Sequence, residues 1–313
     1  MASFDESPLA RPLALGRKSA AYVRKNYRYL AKDPGFFLMK TVARFEFARE
    51  WATRAPSAPR IRAPAASSPV VSSRSEAAEV VSTLREEGYY VGLQLAPEVL
   101  SGLLAHCHEA TCYGDRDAKL ALRIGEREQL EQRLGRPLKL ASYFNQQEDW
   151  PVFRRLKADP WLHALSREYL GCEPVYLRSE LAWSFPYEAS PEEKRATAQV
   201  LHCDINDYKT LKFFFYLSDV GPENGPHAYI KKNPRQRTAL HQLLGQRCAS
   251  LPELQLLDTY GSEQLVTVCG EAGLGFAGDP YYFHRGTTPT EGSRLLLQIE
   301  VGCRRYRTWY FDV

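Results

Sequence analysis

The chain has 313 residues, 44% hydrophobic and 25% charged, a balance ordinary for a folded protein and enough chain for one large β-rich domain with an extension. No run approaches the ~18 uninterrupted apolar residues of a membrane-spanning helix, and the start, Met-Ala-Ser-Phe-Asp-Glu-Ser-Pro, has no basic region leading an apolar core, so a secretory leader is not expected. The net charge of +4 is uneven: residues 1–62 hold 13 Lys/Arg against 5 Asp/Glu and the remainder is net −4, and an acidic body without a recognisable binding motif argues against nucleic acid as partner.

Residues 1–54 read as a basic helical extension. Over 19–54 two helices are predicted, with Val23, Tyr27 and Leu30 on one stripe and Leu38, Val42 and Phe45 on the next, separated at Asp33-Pro34-Gly35. Such stripes suit either packing on the parent domain or a peripheral contact with a membrane or partner. Residues 55–74 are rich in Pro, Ala and Ser and read as a linker. Residues 75–313 form the expected catalytic domain. Ser75 is a candidate cap for a helix through Val80, Val81 and Leu84 that Gly88 ends, followed by a strand over 89–93 and a helix from Pro97 to about Cys107. Asp159-Pro160 starts a helix with Leu162, Leu165 and Tyr169 on one side and Gly171 as its stop. Strands are predicted over 175–185, 211–217, 265–269, 274–276 and 294–301, the second buried on both faces. Short strands with turn-rich joints indicate a sandwich or barrel with packed helices.

His202 and Asp204 flank Cys203. In extended chain, residues i and i+2 point to one side, so an imidazole and a carboxylate meet while Cys203 points away. His284, after the Gly-rich stretch GLGFAG, is the best third ligand. Two histidines and one carboxylate on one face of an octahedral ion leave three positions open, the arrangement of non-haem Fe(II) oxygenases. Open positions of that kind would suit a 2-oxo acid and O₂, chemistry that would convert 2-oxoglutarate to succinate and CO₂. Arg294, ten residues after His284 at the start of RLLLQIEV, is placed to grip the far carboxylate of 2-oxoglutarate with its planar guanidinium. Leu295, Leu297, Ile299 and Val301 share the opposite face of that strand, and Thr287 and Thr288 can add a hydroxyl to the same carboxylate.

Other residues read more weakly. His106, Cys107, His108 and Cys112 fit either a metal pair or a loose set of core and surface residues. Lys231, Lys232, Arg235 and Arg237 are either a substrate-attracting patch or a solvated loop. Trp183, Phe185 and Tyr187 either wall a substrate pocket or pack on the sheet. Seven cysteines without regular spacing suit reduced thiols in the cytoplasm.

The run QVLHCDINDYKTLKFFFYLSDVGPENGPHAYI, then EAGLGFAGDPYYFHRGTTPTEGSR, and the earlier STLREEGYYVGLQLAPEVLSGLL resemble the phytanoyl-CoA dioxygenase family of Fe(II)/2-oxoglutarate oxygenases, over roughly residues 78–303. The resemblance implies a mainly β fold, a double-stranded β-helix or cupin-like jelly roll with helices on one side. It implies His202, Asp204 and His284 as metal ligands, Arg294 as the 2-oxoglutarate anchor, and Gln199 as the Gln that precedes the H-x-D. Two departures stand out: Lys231-Lys232-Asn233-Pro234 replaces the family's Gly-Ser-His, and Gly286 stands where the family has a Ser that touches 2-oxoglutarate, leaving Thr287 as a substitute. Asp204 argues against halogenation, since halogenating relatives lack that carboxylate. The expected activity is hydroxylation of a small-molecule or carrier- or lipid-linked metabolite. A cupin-like metalloenzyme that does not use 2-oxoglutarate and a non-catalytic docking module are the other readings.

Overall fold

The computed structural model describes residues 27, 29–53, 68, 71–73, 75–231 and 237–306. The strands are β1 (Val71–Ser73), β2 (Tyr89–Leu95), β3 (Cys112–Gly114), β4 (Ala121–Leu122), β5 (Leu140–Ser142), β6 (Val175–Ser184), β7 (Thr210–Tyr216), β8 (His227–Ile230), β9 (Leu265–Val268), β10 (Leu274–Gly278), β11 (His284–Gly286) and β12 (Arg294–Gly302). They form two sheets, ordered β1-β2-β10-β7-β12-β6-β5-β3-β4 and β11-β8-β9. Beyond β7 the chain goes to the small sheet for β8 and β9, returns for β10, crosses for β11 and returns for β12. That alternation between two antiparallel sheets is the winding of a jelly roll, the expected fold.

The two faces of the large sheet have different partners. Leu211, Phe213 and Phe215 of β7, with Leu295, Leu297 and Ile299 of β12, pack into the main core beneath the helices. Phe214, Tyr216, Phe276 and Leu296 point the other way and meet Tyr229 and Val268 of the small sheet. Every residue of β7 is therefore buried, as its aromatic density predicts. Strands β3, β4, β5, β8 and β11 span four residues or fewer, too short for a period-2 pattern to show in the sequence. Strand β1 lies inside the segment read as linker and pairs with β2.

Helix α1 (Pro34–Val42) begins where Asp33 accepts the Phe36 N–H at 2.9 Å, and α2 (Glu46–Thr53) follows a second break. The expected stripe does not pack on the domain: Leu38 is 58% exposed and Leu30 45%, whereas Phe36, Met39 and Ala43 are buried against Ile205 and Tyr281. Residues 36–45 carry two apolar stripes, and periodicity cannot choose between them. Tyr27 is exposed and Val23 lies outside the described residues. Helix α3 (Ala77–Glu87) buries Val80, Val81 and Leu84 as predicted, although Glu76, not Ser75, is the residue before it. Helices α4 (Pro97–Glu109), α5 (Arg127–Leu134) and α6 (Pro151–Lys157) share the core on the same side of the large sheet. Helix α7 (Pro160–Leu170) starts on Asp159, whose carboxylate accepts the N–H groups of Trp161 and Leu162, and stops at Gly171. Among the described residues no helix is long and apolar enough to cross a membrane.

The expectation of reduced thiols throughout is corrected by a Cys172–Cys303 disulfide, with Cα atoms 6.0 Å apart, between the end of α7 and the end of β12. Its halves are 131 residues apart in sequence, so spacing could not reveal it. The other five cysteines are free.

Gly88 ends α3 at φ +85°, and a Cβ there would lie 2.7 Å from the ring of Tyr282. Both the left-handed backbone and the close ring require glycine. Gly88→Ala is expected to lower the unfolding free energy by about 2 kcal/mol or more, measured by urea titration.

Candidate metal and co-substrate site

The inner face of the large sheet carries polar residues in register. Across β6 and β12 the facing pairs are Ser184–Arg294, Ala182–Leu296, Glu180–Gln298 and Arg178–Glu300. Arg294 Nη2 donates to Ser184 Oγ at 3.2 Å, Gln298 Nε2 to Glu180 Oε2 at 3.1 Å, and Arg178 Nε to Glu300 Oε2 at 2.8 Å. These side chains, Glu300 excepted, line a cavity of about 580 Å³ that also holds His202, Asp204, His284, Gln199, Lys212 and His227.

His202 and His284 are held by reciprocal backbone bonds, His202 N to His284 O at 3.0 Å and His284 N to His202 O at 2.9 Å. Their rings lie 4.4 Å apart. Each Nδ1 sits on the carbonyl two residues back, Val200 O at 2.8 Å and Tyr282 O at 2.9 Å. Nδ1 is thus the protonated nitrogen and Nε2 is left as the ligand atom, the outer-shell device usual at metal-binding histidines. His202 Nε2 is 4.0 Å from Asp204 Oδ1, and His284 Nε2 is 3.8 Å from Asp204 Oδ2. Among the described residues this is the one group of three His, Cys, Asp or Glu side chains placed to hold an ion, with ligand atoms within 4.8 Å of one another. The donor set fits Fe(II): two imidazoles presenting Nε2 and one carboxylate on one face. Cys203 points away, its Sγ 3.5 Å from Gly245 O.

Lys212, alone among the aromatics of β7, donates to Asp204 Oδ2 at 2.5 Å and lies 3.9 Å from Glu300. Asn206 Nδ2 donates to the other Glu300 oxygen at 2.8 Å. Burial alone would push the Asp204 carboxyl up, but the Lys212 ammonium, with His202 and His284, holds it well below the usual carboxylate range. For His284, burial first and His202 second push the imidazole down to about 3. The folded-state value lies below the ordinary 6.5, so the unfolded chain binds the proton more tightly. Stability of the chelator-treated protein is therefore full above pH 6.5 and is lost progressively as pH falls from there toward 3. Thermal melting between pH 7 and 4 in EDTA checks this, and His284→Gln should flatten the slope.

Arg294 is buried, and its Nε and Nη1 have no hydrogen-bond partner. Burial also lowers its pKa. An unpaired buried guanidinium is costly unless an anion meets it, so the residue fits the far carboxylate of a 2-oxo diacid. Thr287 does not join it: its hydroxyl donates to Pro226 O at 2.7 Å, holding the turn, and the residue does not line the cavity. Gln199 lines the cavity, and its Oε1 accepts from the hydroxyls of Thr288 and Tyr187.

The remaining candidates resolve into packing. Cys107 and Cys112 are core residues, and His106 stacks on Trp150. Trp183 stacks on Phe185 at 6.5 Å and donates to Tyr143 OH, and neither ring lines the cavity. Arg237 is buried between Tyr281 and Phe283, not in a solvated patch; Lys231 pairs with Glu87, and Lys232 and Arg235 lie outside the described residues. Lys212 and His227 were not singled out from sequence. The available signal for each was a lone polar residue inside a run otherwise apolar, which demands a buried partner.

No protein-family model matches the chain, and no curated protein matches it. Among solved structures it is similar to AviO1 from Streptomyces viridochromogenes, at 16% identity over 72% of this chain and 95% of that one, TM-score 0.48. It is similar to HygX from Streptomyces hygroscopicus, solved with nickel and 2-oxoglutarate, at 17% identity over 72% and 86%, TM-score 0.49. It is also similar to SnoK, described as a non-haem α-ketoglutarate-dependent carbocyclase from nogalamycin biosynthesis, at 17% identity over 71% and 82%, TM-score 0.44.

Proposed function

We propose that the chain is an Fe(II)/2-oxoglutarate-dependent dioxygenase that hydroxylates a polar small molecule, related to the phytanoyl-CoA dioxygenases it resembles. The observation that carries this is one cavity holding both a His-Asp-His donor set and a buried guanidinium with two unpartnered nitrogens, Nε and Nη1. His202, Asp204 and His284 would hold the metal, and Arg294 the far carboxylate. Iron and 2-oxoglutarate together supply the oxidising power, with succinate and CO₂ as by-products. The protein's part is placement: backbone carbonyls fix both imidazole tautomers, Lys212 orients Asp204, and Phe214 and Leu296 give the cavity its apolar surface.

The cavity lining favours a hydrophilic substrate over a lipid chain. Arg116 pairs with Glu180, which also accepts from Gln298, and Lys139 lines the same cavity, so its wall offers charges and an amide. Anaerobic addition of Fe(II) and 2-oxoglutarate should produce the weak visible charge-transfer band of the chelate. Succinate release should then rise with polyhydroxylated or amino-bearing compounds and not with fatty acyl ones. Absence of the band, or turnover that survives omission of 2-oxoglutarate, overturns the proposal.

A second role, a peripheral membrane contact through α1 and α2, is favoured by the exposure of Leu38, Phe47 and Trp51, at 58%, 71% and 78%, within the 1–62 segment of charge +8. Co-sedimentation with phosphatidylserine vesicles tests it, and Trp51→Glu should abolish binding.

A further inference from the structure

His227 opens β8 and is 5% exposed, yet both of its ring nitrogens lack a hydrogen-bond partner. Its ring centroid lies 4.7 Å from Phe214 and 5.7 Å from His284. A phenylalanine would fill that space among aromatics without stranding two polar atoms, so packing alone does not explain a histidine there. In the β8–β11 ladder His227 faces Gly286. A Cβ on Gly286 would sit 3.2 Å from Arg294 Nη2. His227, Gly286 and Arg294 are therefore neighbours, and the glycine puts no side chain between the other two.

Two buried groups with unmet hydrogen bonds thus line one cavity, the Arg294 guanidinium and the His227 imidazole. Their common complement is an acceptor with two oxygens. The Thr287 and Thr288 hydroxyls, the other donors the sequence offered for this position, are spent on Pro226 O and Gln199 Oε1.

We infer that His227 donates a ring N–H to the far carboxylate of 2-oxoglutarate and shares that carboxylate with Arg294. The inference rests on the function proposed above, and binding measurements separate the two. Full-length protein loaded anaerobically with Fe(II) is titrated with 2-oxoglutarate and, separately, with 2-oxobutyrate, which carries the same chelating 2-oxo acid but no far carboxylate. The charge-transfer band reports both dissociation constants without turnover. For His227→Phe the 2-oxoglutarate Kd should rise about ten- to a hundredfold, the loss of one hydrogen bond to a charged group. The 2-oxobutyrate Kd should stay within about threefold of the wild-type value. His227→Gln, which keeps an N–H donor, should recover much of the difference, and His227→Leu replaces His227→Phe if the latter does not fold. An unchanged 2-oxoglutarate Kd, or an equal loss for both ligands, overturns the role of His227 and leaves the dioxygenase reading intact. No band from the wild-type protein with either ligand overturns the dioxygenase reading itself.

Discussion

Asp204→Ala is expected to abolish iron uptake and to lower turnover on the order of a thousandfold or more, because the metal supplies several kilocalories per mole of the catalytic stabilisation. The same change should also damage the fold. Lys212 Nζ is 2.5 Å from Asp204 Oδ2 and its next acid, Glu300, is 3.9 Å away. Removing the nearer carboxylate leaves a buried ammonium poorly compensated, at a cost of about 3–5 kcal/mol. Iron content by metal analysis and melting temperature together check both effects. The double variant Asp204→Ala/Lys212→Met should regain most of the stability and none of the iron. Recovery of iron in the double variant would show that Asp204 is not a ligand.

Arg294 should give the opposite pairing of effects. Arg294→Leu removes the partner of a buried carboxylate and should raise the 2-oxoglutarate KM by roughly a hundredfold or more. In the protein without co-substrate, however, the wild-type guanidinium is buried with Nε and Nη1 unmet. Its replacement by leucine should therefore raise the melting temperature. Arg294→Lys should not restore affinity, since an ammonium lacks the planar two-pronged geometry. A melting curve in the absence of 2-oxoglutarate and a KM series across the three proteins check the pair. A destabilised Arg294→Leu protein with unchanged KM would mark Arg294 as a structural residue.

Much of this site could be read in the sequence because its parts are local. The i, i+2 relation of His202 and Asp204 and the period-2 placement of Arg294 opposite Leu295, Leu297 and Ile299 follow from strand geometry alone. Helix α7 was legible for the same reason, with Asp159 and Gly171 as its punctuation. What could not be read depends on tertiary neighbours. Lys212 is an oddity within TLKFFFY until Asp204 is seen beside it. His227 acquires meaning only through its register with Gly286. The partner of Thr287 could not be read, because sequence distance from Arg294 says nothing about which way a hydroxyl turns, and here it donates to Pro226 O. Which stripe of α1 packs could not be read, because two apolar faces were present and only the docking surface of Ile205 and Tyr281 selects one.

That docking surface bears on where the chain can be cut. Ile205 follows Asp204 directly, and Tyr281 lies three residues before His284. The Tyr281 ring is clasped between the guanidinium groups of Arg49 and Arg237, at 3.9 and 4.4 Å, and its hydroxyl donates to Arg44 O at 2.9 Å. Trimming the chain to residue 75, the start of the domain as composition suggests it, would strip Phe36, Met39 and Arg49 from the back of two ligand-bearing segments and expose their apolar side to water. The helical extension buttresses the two segments that carry His202, Asp204 and His284, and a minimal fragment should include it.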